Sequence, residues 1–333
     1  MDISAITDTK KHIDQTIIEH LTQKQAESIN ERQRDLITRL IPFVTSGKSI
    51  RGCLAVFVYS LFSTNRKSEI FDCAAALELL HSGLLIHDDI MDRDELRRGA
   101  QAIYTQYTEV GKQNGTGDSR HFGVSMGINA ADFCFFSGYE LLGRLSNDIF
   151  GFVSHELTHV VAAQMQDVYA SQIAQSLSEN DVMTVYRYKT ARYTFSLPLM
   201  VGAKLASASE AVIRMLDRIG ENLGIIFQLR DDELNIIGNT QKTGKPQGSD
   251  VREHKQTLLS VYLTAEYPEK KLELLSFQEL NNLYVKSGTR IRIAKKMLDL
   301  ASTISQEVDE LPIDSSHKST FQALADFVQT REN

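Results

Sequence analysis

Proline is scarce in this chain, with five in 333 residues, at positions 42, 198, 246, 268 and 312. Long stretches are therefore free of the residue that most strongly interrupts helices. Hairpin signals are also missing. The one Asn-Gly pair, Asn114-Gly115, lies in the polar run GKQNGTGDSR without alternating strands on either side, and reads as a surface loop. There is no internal repeat of solenoid period and no linker rich in Pro, Gly or Ser, so residues 1–333 are expected to form a single domain. The three cysteines, Cys53, Cys73 and Cys134, fit neither a metal knuckle nor a disulfide framework and read as buried small hydrophobes in a reducing compartment. With 36 Lys and Arg against 43 Asp and Glu, the formal net charge is −7. No basic stripe marks a nucleic-acid binder. The first twenty residues carry Asp2 and Asp8 and lack a signal-type apolar core, and no later stretch reads as long and apolar enough to span a bilayer, so a cytoplasmic location is expected.

What is present is helix. Apolar residues recur at intervals of three and four, as in Leu77, Leu80, Leu84 and Leu85, or Leu223, Ile226, Phe227 and Leu229. Hydrophobic residues make up 42% of the chain, enough for a sizeable core. CAAALELLHSGLLIHDD and MGINAADFCFFSGYELLGRL are apolar around most of their circumference, which marks central helices. The expected class is all-α, a large helical bundle.

Two acidic clusters interrupt this pattern. IHDDIMDRDELRRG places Asp88, Asp89 and Asp92 at the same offsets as Asp231, Asp232 and Asn235 in FQLRDDELNIIG. On a helix, residues i and i+4 lie about 40° apart, so each triplet makes one patch of oxygen ligands. One such cluster alone reads as a solvated helix end. Two matching clusters after apolar turns suit magnesium, which prefers oxygen ligands and commonly bridges carboxylates to phosphates. Asp94 and Glu95 fall off or beyond the ligand face and read as solvated.

Phosphate also needs cations. Lys48 and Arg51 lie in GKSIRG, Arg97 and Arg98 in LRRG, Lys189 in YKTA, Lys245 in TGKPQG and Lys255 in DVREHK. Each is by itself an ordinary surface charge, but several stand next to glycines or helix ends, where backbone N–H groups can reach the same anion. His81 lies roughly 10 Å before Asp88 and about 20° off its face, either a satisfied core histidine or a donor to a second phosphate. Lys112, Arg120 and His121 read as a solvated loop in preference to a lid.

Taken in order, GKSIRG, LELLHSGLLIHDDIMDRDELRRG, INAADF, AAQMQD, YKTA, FQLRDDELNIIG, GKPQGSD and ALADFVQTR resemble the polyprenyl synthetase family, the trans-isoprenyl diphosphate synthases, over nearly the whole chain. The resemblance implies the isoprenoid synthase type I fold around a central cavity, usually as a homodimer. It also implies magnesium-dependent head-to-tail condensation of isopentenyl diphosphate with a dimethylallyl, geranyl or farnesyl diphosphate, using three Mg2+ per active site. On this resemblance Asp88, Asp89, Asp92, Asp231 and Asp232 bind metal, and Lys48, Arg51, His81 and Arg98 hold isopentenyl diphosphate. Arg97, Lys189 and Lys245 hold the allylic diphosphate, with Gln164, Thr190, Gln228 and Lys255 beside them, and Asp167 completes a Gln-x-x-Asp.

Some positions depart from the family pattern. Asn235 replaces the last acid of the second cluster, Gly52 stands where proline is common, Ala131 where glycine is frequent, and Gln101, Ala102, Ile103 and Tyr104 replace Pro-Thr-x-His. In the family, the residues four and five before the first aspartate, here Leu84 and Gly83, belong to the chain-length pocket. Gly83 brings no aromatic plug, so geranylgeranyl diphosphate is the expected product, with farnesyl or longer polyprenyl diphosphates as alternatives. A non-catalytic partner subunit of a heteromeric synthase is the rival of another class, and only Asn235 points that way. A terpene cyclase needs no isopentenyl set.

Overall fold

A computed structural model of the chain describes residues 3–63, 68–173, 176–237 and 255–331. The fold is all-α. Among the described residues the one sheet is a two-stranded ribbon. The helices gather into two compact units, one of Asp2–Phe152 with Val201–Ser207, the other of Val153–Met200 with Ala208–Asn333.

The first unit begins with α1 (Ile3–Ala26), α2 (Glu31–Thr45) and α3 (Ile50–Phe62). Asn30 caps α2 by accepting the Gln33 amide, which meets one of the amides that a helix start leaves without an internal partner. Next come α4 (Ser68–Asp92), the ribbon β1 (Leu96–Arg97) and β2 (Ala100–Gln101), α5 (Ile103–Gln113) and α6 (Ser119–Leu142). As their all-round apolarity suggests, α4 and α6 bury residues on most of their circumference, among them Cys73, Leu77, Leu79, Leu80 and Ile86 on α4 and Ala130, Cys134 and Leu141 on α6. Small residues let the two helices approach closely: a Cβ at Gly138 would lie 2.8 Å from Leu80 Cγ, and one at Gly127 would lie 2.8 Å from Ile90 Cδ1. Contrary to the sequence reading, α4 is long and apolar enough to cross a membrane, but 72% of its apolar window is buried within the protein.

The second unit takes α7 (Asn147–Gln172) from Val153 onward, then α8 (Glu179–Val185), which runs directly into a π-helix (Tyr186–Ser196) and on into α9 (Leu197–Leu205), of which it takes only Leu197–Met200. It continues with α10 (Glu210–Ile237), α11 (Leu258–Glu266), α12 (Phe277–Lys286), α13 (Gly288–Glu310) and α14 (Ser315–Thr330). Reciprocal capping boxes start α8, α11 and α12, at Ser178 with Asp181, Thr257 with Ser260, and Ser276 with Glu279. The π-helix lies directly on α10, where Gly220 and Gly224 present no side chain. A Cβ there would come within 2.5 Å of Ser196 Cα and 2.2 Å of Ala191 Cα. Arg192 pins the π-helix from its other face, donating to both oxygens of Glu156 at 3.0 and 2.9 Å and to Asp217 at 3.0 Å. All three cysteines are free and buried, as expected.

Candidate active site

In the first unit α4 ends on the first aspartate cluster, and the ribbon that follows folds back over it. The ribbon turns through Arg98 and Gly99, both at positive φ (54° and 77°). That is the conformation a two-residue hairpin turn demands, and Gly99 meets it without steric cost. The turn leaves Arg97 over the acids. Arg97 Nε donates to Asp89 Oδ1 at 2.6 Å and its terminal nitrogen pairs with the same carboxylate, while Asp94 stands at 3.4 Å and Asp88 at 3.5 Å. Asp94 is thus a partner of Arg97 rather than the solvated acid the sequence suggested. Burial pushes the Asp89 carboxyl up to about 6 against the pull of Arg97. Burial also opposes the Arg97 charge, but Asp89 and its neighbours outweigh it and raise the Arg97 pKa.

The isopentenyl set gathers in the same unit. His81 is half-buried, and desolvation together with the charges of Arg51, Arg98 and Arg97 holds its pKa well below the ordinary range. It is neutral and offers a single N–H. Arg98 donates to Phe43 O at 3.2 Å, and its guanidinium lies on Gly47, where a Cβ would meet it at 2.8 Å. Lys48 follows in that loop, exposed. Arg51 is buried at the start of α3. Sequence reasoning missed Glu78, a buried acid one turn before His81. It accepts the Gly52 amide at 2.9 Å and faces the Arg51 charge; burial raises its pKa against that charge. This bond also explains the departure at position 52, because proline there would have no N–H to give.

The second unit holds the other cluster. Asp232 is buried and engaged on both oxygens: Gln228 Nε2 donates to Oδ1 at 2.7 Å and the Tyr186 hydroxyl donates to Oδ2. Thr190 donates to Gln228 at 2.7 Å, and the Leu258 amide donates to Tyr186 at 2.8 Å. Asp231, one residue earlier, is exposed and paired with Arg331 at 2.6 Å. The Arg331 guanidinium also lies over the Phe227 ring, 3.7 Å from its centroid. Lys189 on the π-helix pairs with Asp167 at 2.5 Å. Gln164 is half-buried on α7, Lys255 is half-buried two residues before the α11 cap, and Asn235 is half-buried on α10. Lys245 lies outside the described residues. Glu78 and Arg331 lie inside stretches that carry the family resemblance, but no sequence signal assigned either a role, and Tyr186 lies outside those stretches.

Among the described residues no three His, Cys, Asp or Glu side chains form a preassembled metal cage. The first cluster nonetheless fits a cation, because Asp89 Oδ2 is buried without a hydrogen-bond partner. A buried carboxylate oxygen left in that state is costly unless a charge meets it. In α7, His155, Glu156 and His159 match the H-E-x-x-H pattern of zinc proteases, but Glu156 is buried in its bidentate pair with Arg192 and is a structural counter-ion, not a general base.

An all-α fold with a carboxylate cluster centred on the buried Asp89 under an arginine, and a set of cations around a neutral histidine, fits a helical enzyme that handles phosphorylated substrates. The polyprenyl synthetase family pattern matches residues 35–297, and the chain belongs to that family of trans-prenyltransferases. The chain is 29% identical over 300 residues to a short chain isoprenyl diphosphate synthase of Methanocaldococcus jannaschii, covering 86% of this chain and 85% of that one. It is 30% identical over 287 residues to a geranylgeranyl diphosphate synthase of Sulfolobus acidocaldarius, covering 82% and 81%. A solved geranylgeranyl pyrophosphate synthase from Corynebacterium glutamicum, complexed with isoprenyl diphosphate and magnesium, superposes with a TM-score of 0.85 at 29% identity, covering 96% of this chain and 98% of that one.

Proposed function

We propose that this prenyltransferase makes geranylgeranyl diphosphate from isopentenyl diphosphate and a shorter allylic diphosphate, as one catalytic domain spanning residues 1–333. The carrying observation is the Asp88–Asp89–Asp94 cluster held under Arg97, with Asp89 Oδ2 left for a cation. Asp88, Asp89 and Asp92 would hold magnesium, and Asp231 and Asp232 would hold it at the second cluster, for three ions in all. Asp232 is the more constrained of that pair, held by Tyr186 and Gln228, whereas Asp231 must leave Arg331. Bound magnesium supplies Lewis-acid stabilisation of the departing diphosphate.

The chain's own groups do the rest. Arg97, Lys189 and Lys245 hold the allylic diphosphate and stabilise it more strongly as a leaving group than as an ester, which lowers the barrier to ionisation. Gln164, Thr190, Gln228 and Lys255 support them. With a cation on the carboxylates, Arg97 would be free to turn from Asp89 to the diphosphate. Lys48, Arg51, Arg98 and the neutral His81 fix isopentenyl diphosphate, with Glu78 orienting Arg51. Gly83 and Leu84 on α4 lie along the path of the growing chain, where apolar surroundings shield the allylic cation from water. The released diphosphate takes the final proton, so no dedicated protein base is needed. The enzyme works as a homodimer in the cytoplasm; three buried, unpaired cysteines support a reducing location.

Incubation with isopentenyl diphosphate, Mg2+ and each allylic starter in turn tests this, with a C20 diphosphate as the expected product. A protein that condenses none of them is instead a non-catalytic subunit of a heteromeric synthase. Asp88→Ala is expected to stay folded and lose turnover by orders of magnitude, and full activity in that variant would remove the metal assignment.

A further inference from the structure

Acids outnumber bases in this chain, yet residues 285–298 carry five basic side chains and no acid. The segment joins the end of α12 to the first turns of α13. Arg290 stands in the first turn of α13, while Glu307, Asp309 and Glu310 crowd its last turn. That is the reverse of the order a helix favours, because the N-terminal end of its dipole is the positive one. Helix stability therefore does not explain these cations. Two of the five answer to the fold. Arg292 and Lys296 donate to Glu179 on α8 at 2.7 and 3.0 Å, and the Arg292 guanidinium lies over the Tyr262 ring, 3.6 Å from its centroid. Among the described residues no acid pairs with Arg290 or Lys295.

One face of α13 is in the core, through Thr289, Ile293, Met297 and Ile304. The face turned away from it is apolar as well. Ile291 and Leu298 are 74% and 59% exposed, and they lie about 20° apart around the helix and roughly 10 Å apart along it. Arg290 and Lys295 are exposed on either side of them, all four within an arc of about 140°. At the end of α12 the exposed Val285 and Lys286 repeat this pairing of an apolar with a basic side chain. A purely solvated face has no use for two large aliphatic side chains. An apolar strip bordered by cations is the pattern of a helix that lies in a lipid headgroup layer.

We propose that this face of α13 docks the protein on an anionic lipid surface, with Ile291 and Leu298 entering the headgroup layer and Arg290 and Lys295 meeting the lipid phosphates. Other occupants match it less well. A second copy meeting it across a two-fold axis would set these cations against themselves. A soluble polyanion would meet the cations and leave Ile291 and Leu298 in water. The docking goes beyond the condensation proposed above, but its use rests on that reading: the tail of a C20 diphosphate is driven out of water, so an enzyme seated on a bilayer releases its product where the tail can enter.

The test is co-sedimentation of the full chain with vesicles of phosphatidylcholine alone and of phosphatidylcholine mixed with phosphatidylglycerol. Wild type is expected to bind the mixed vesicles far more than the neutral ones and to come off as salt is raised. Each basic side chain near an anionic leaflet is worth a factor of roughly five in affinity, so the double variant Arg290→Gln, Lys295→Gln should bind roughly 25-fold more weakly. The double variant Ile291→Ser, Leu298→Ser should also lose binding. All four positions are exposed, so both variants are expected to keep the wild-type circular dichroism and condensing activity. Wild type that stays in solution with the mixed vesicles overturns the proposal, and so do variants that both bind as wild type does. If only the cation variant loses binding, the ligand is a soluble polyanion and the lipid assignment falls. If light scattering shows either variant at a lower mass than wild type, the face is a contact between copies and the assignment falls again. The condensation assay is read separately, so failure to bind lipid leaves the proposed activity standing.

Discussion

Asp89 shows how a site residue can work against the stability of its own fold. Its side chain is 1% exposed, and burial raises its pKa from 3.8 to about 6 even with Arg97 against it. Below about pH 4 the carboxyl is protonated in both folded and unfolded chains and has no effect on stability. Between about 4 and 6 only the folded state keeps the proton, so stability falls as pH rises through this window. Above it the full penalty holds, up to about 3 kcal/mol from the size of the shift. Asp89→Asn mimics the protonated form. It is expected to raise the melting temperature of the metal-free protein at pH 7.5 by several degrees, with the gap to wild type closing toward pH 4, while turnover drops by at least about 100-fold. A calorimetric scan of both proteins across pH checks the first part, and a lower melting temperature for the variant at pH 7.5 would refute it. The cysteines are the quiet counterpart. Burial pushes each thiol up to about 12, so Cys53, Cys73 and Cys134 carry negligible thiolate at neutral pH, and the folded protein is expected to resist iodoacetamide until denaturant is added.

Glycines locate the contacts that elements make for function. Gly47 admits the Arg98 guanidinium into the α2–α3 loop. Because the far end of an arginine can move aside, Gly47→Ala is expected to fold normally but displace that guanidinium. The Michaelis constant for isopentenyl diphosphate should rise about tenfold with kcat little changed, and steady-state kinetics with varied isopentenyl diphosphate read this directly. Gly224 offers no such escape. A Cβ there would press on the Ala191 backbone, so Gly224→Ala is expected to destabilise by about 1–3 kcal/mol or more and to move the π-helix that carries Lys189 and Thr190. Urea denaturation measures the first effect, and loss of activity in the surviving folded fraction measures the second.

The same elements mark what could be read from residues alone. The aspartate clusters and the basic loops stand out because charge inside apolar helix periodicity is conspicuous. The π-helix does not, since i→i+5 bonding over Tyr186–Ser196 leaves no distinct hydrophobic period. The Leu96–Gln101 ribbon has two-residue strands, too short to alternate. Glu78 and Tyr186 look like ordinary helical residues until the fold sets them against Gly52 and Asp232.

At the scale of the whole molecule the open question is what covers α7. Val161, Met165 and Tyr169 recur every four residues along it, Ile173 follows at the same spacing in the turn just past its end, and the four are 52%, 68%, 57% and 62% exposed. This apolar stripe is about 18 Å long. Scattered surface hydrophobics need no explanation, but a run of four large ones along one helix and the turn that ends it is what a subunit interface uses. In the proposed homodimer a second copy covers it, and in a two-fold dimer the same stripe meets itself. Placing charge there forces two like charges into a dry contact, which costs far more than exposing them to water in a monomer. The double variant Met165→Glu, Tyr169→Glu is therefore expected to run at the mass of one chain by light scattering where wild type runs at two, with helical content unchanged. If the variant keeps the wild-type mass, α7 lies outside the interface; if wild type itself runs at the mass of one chain, the homodimer is wrong.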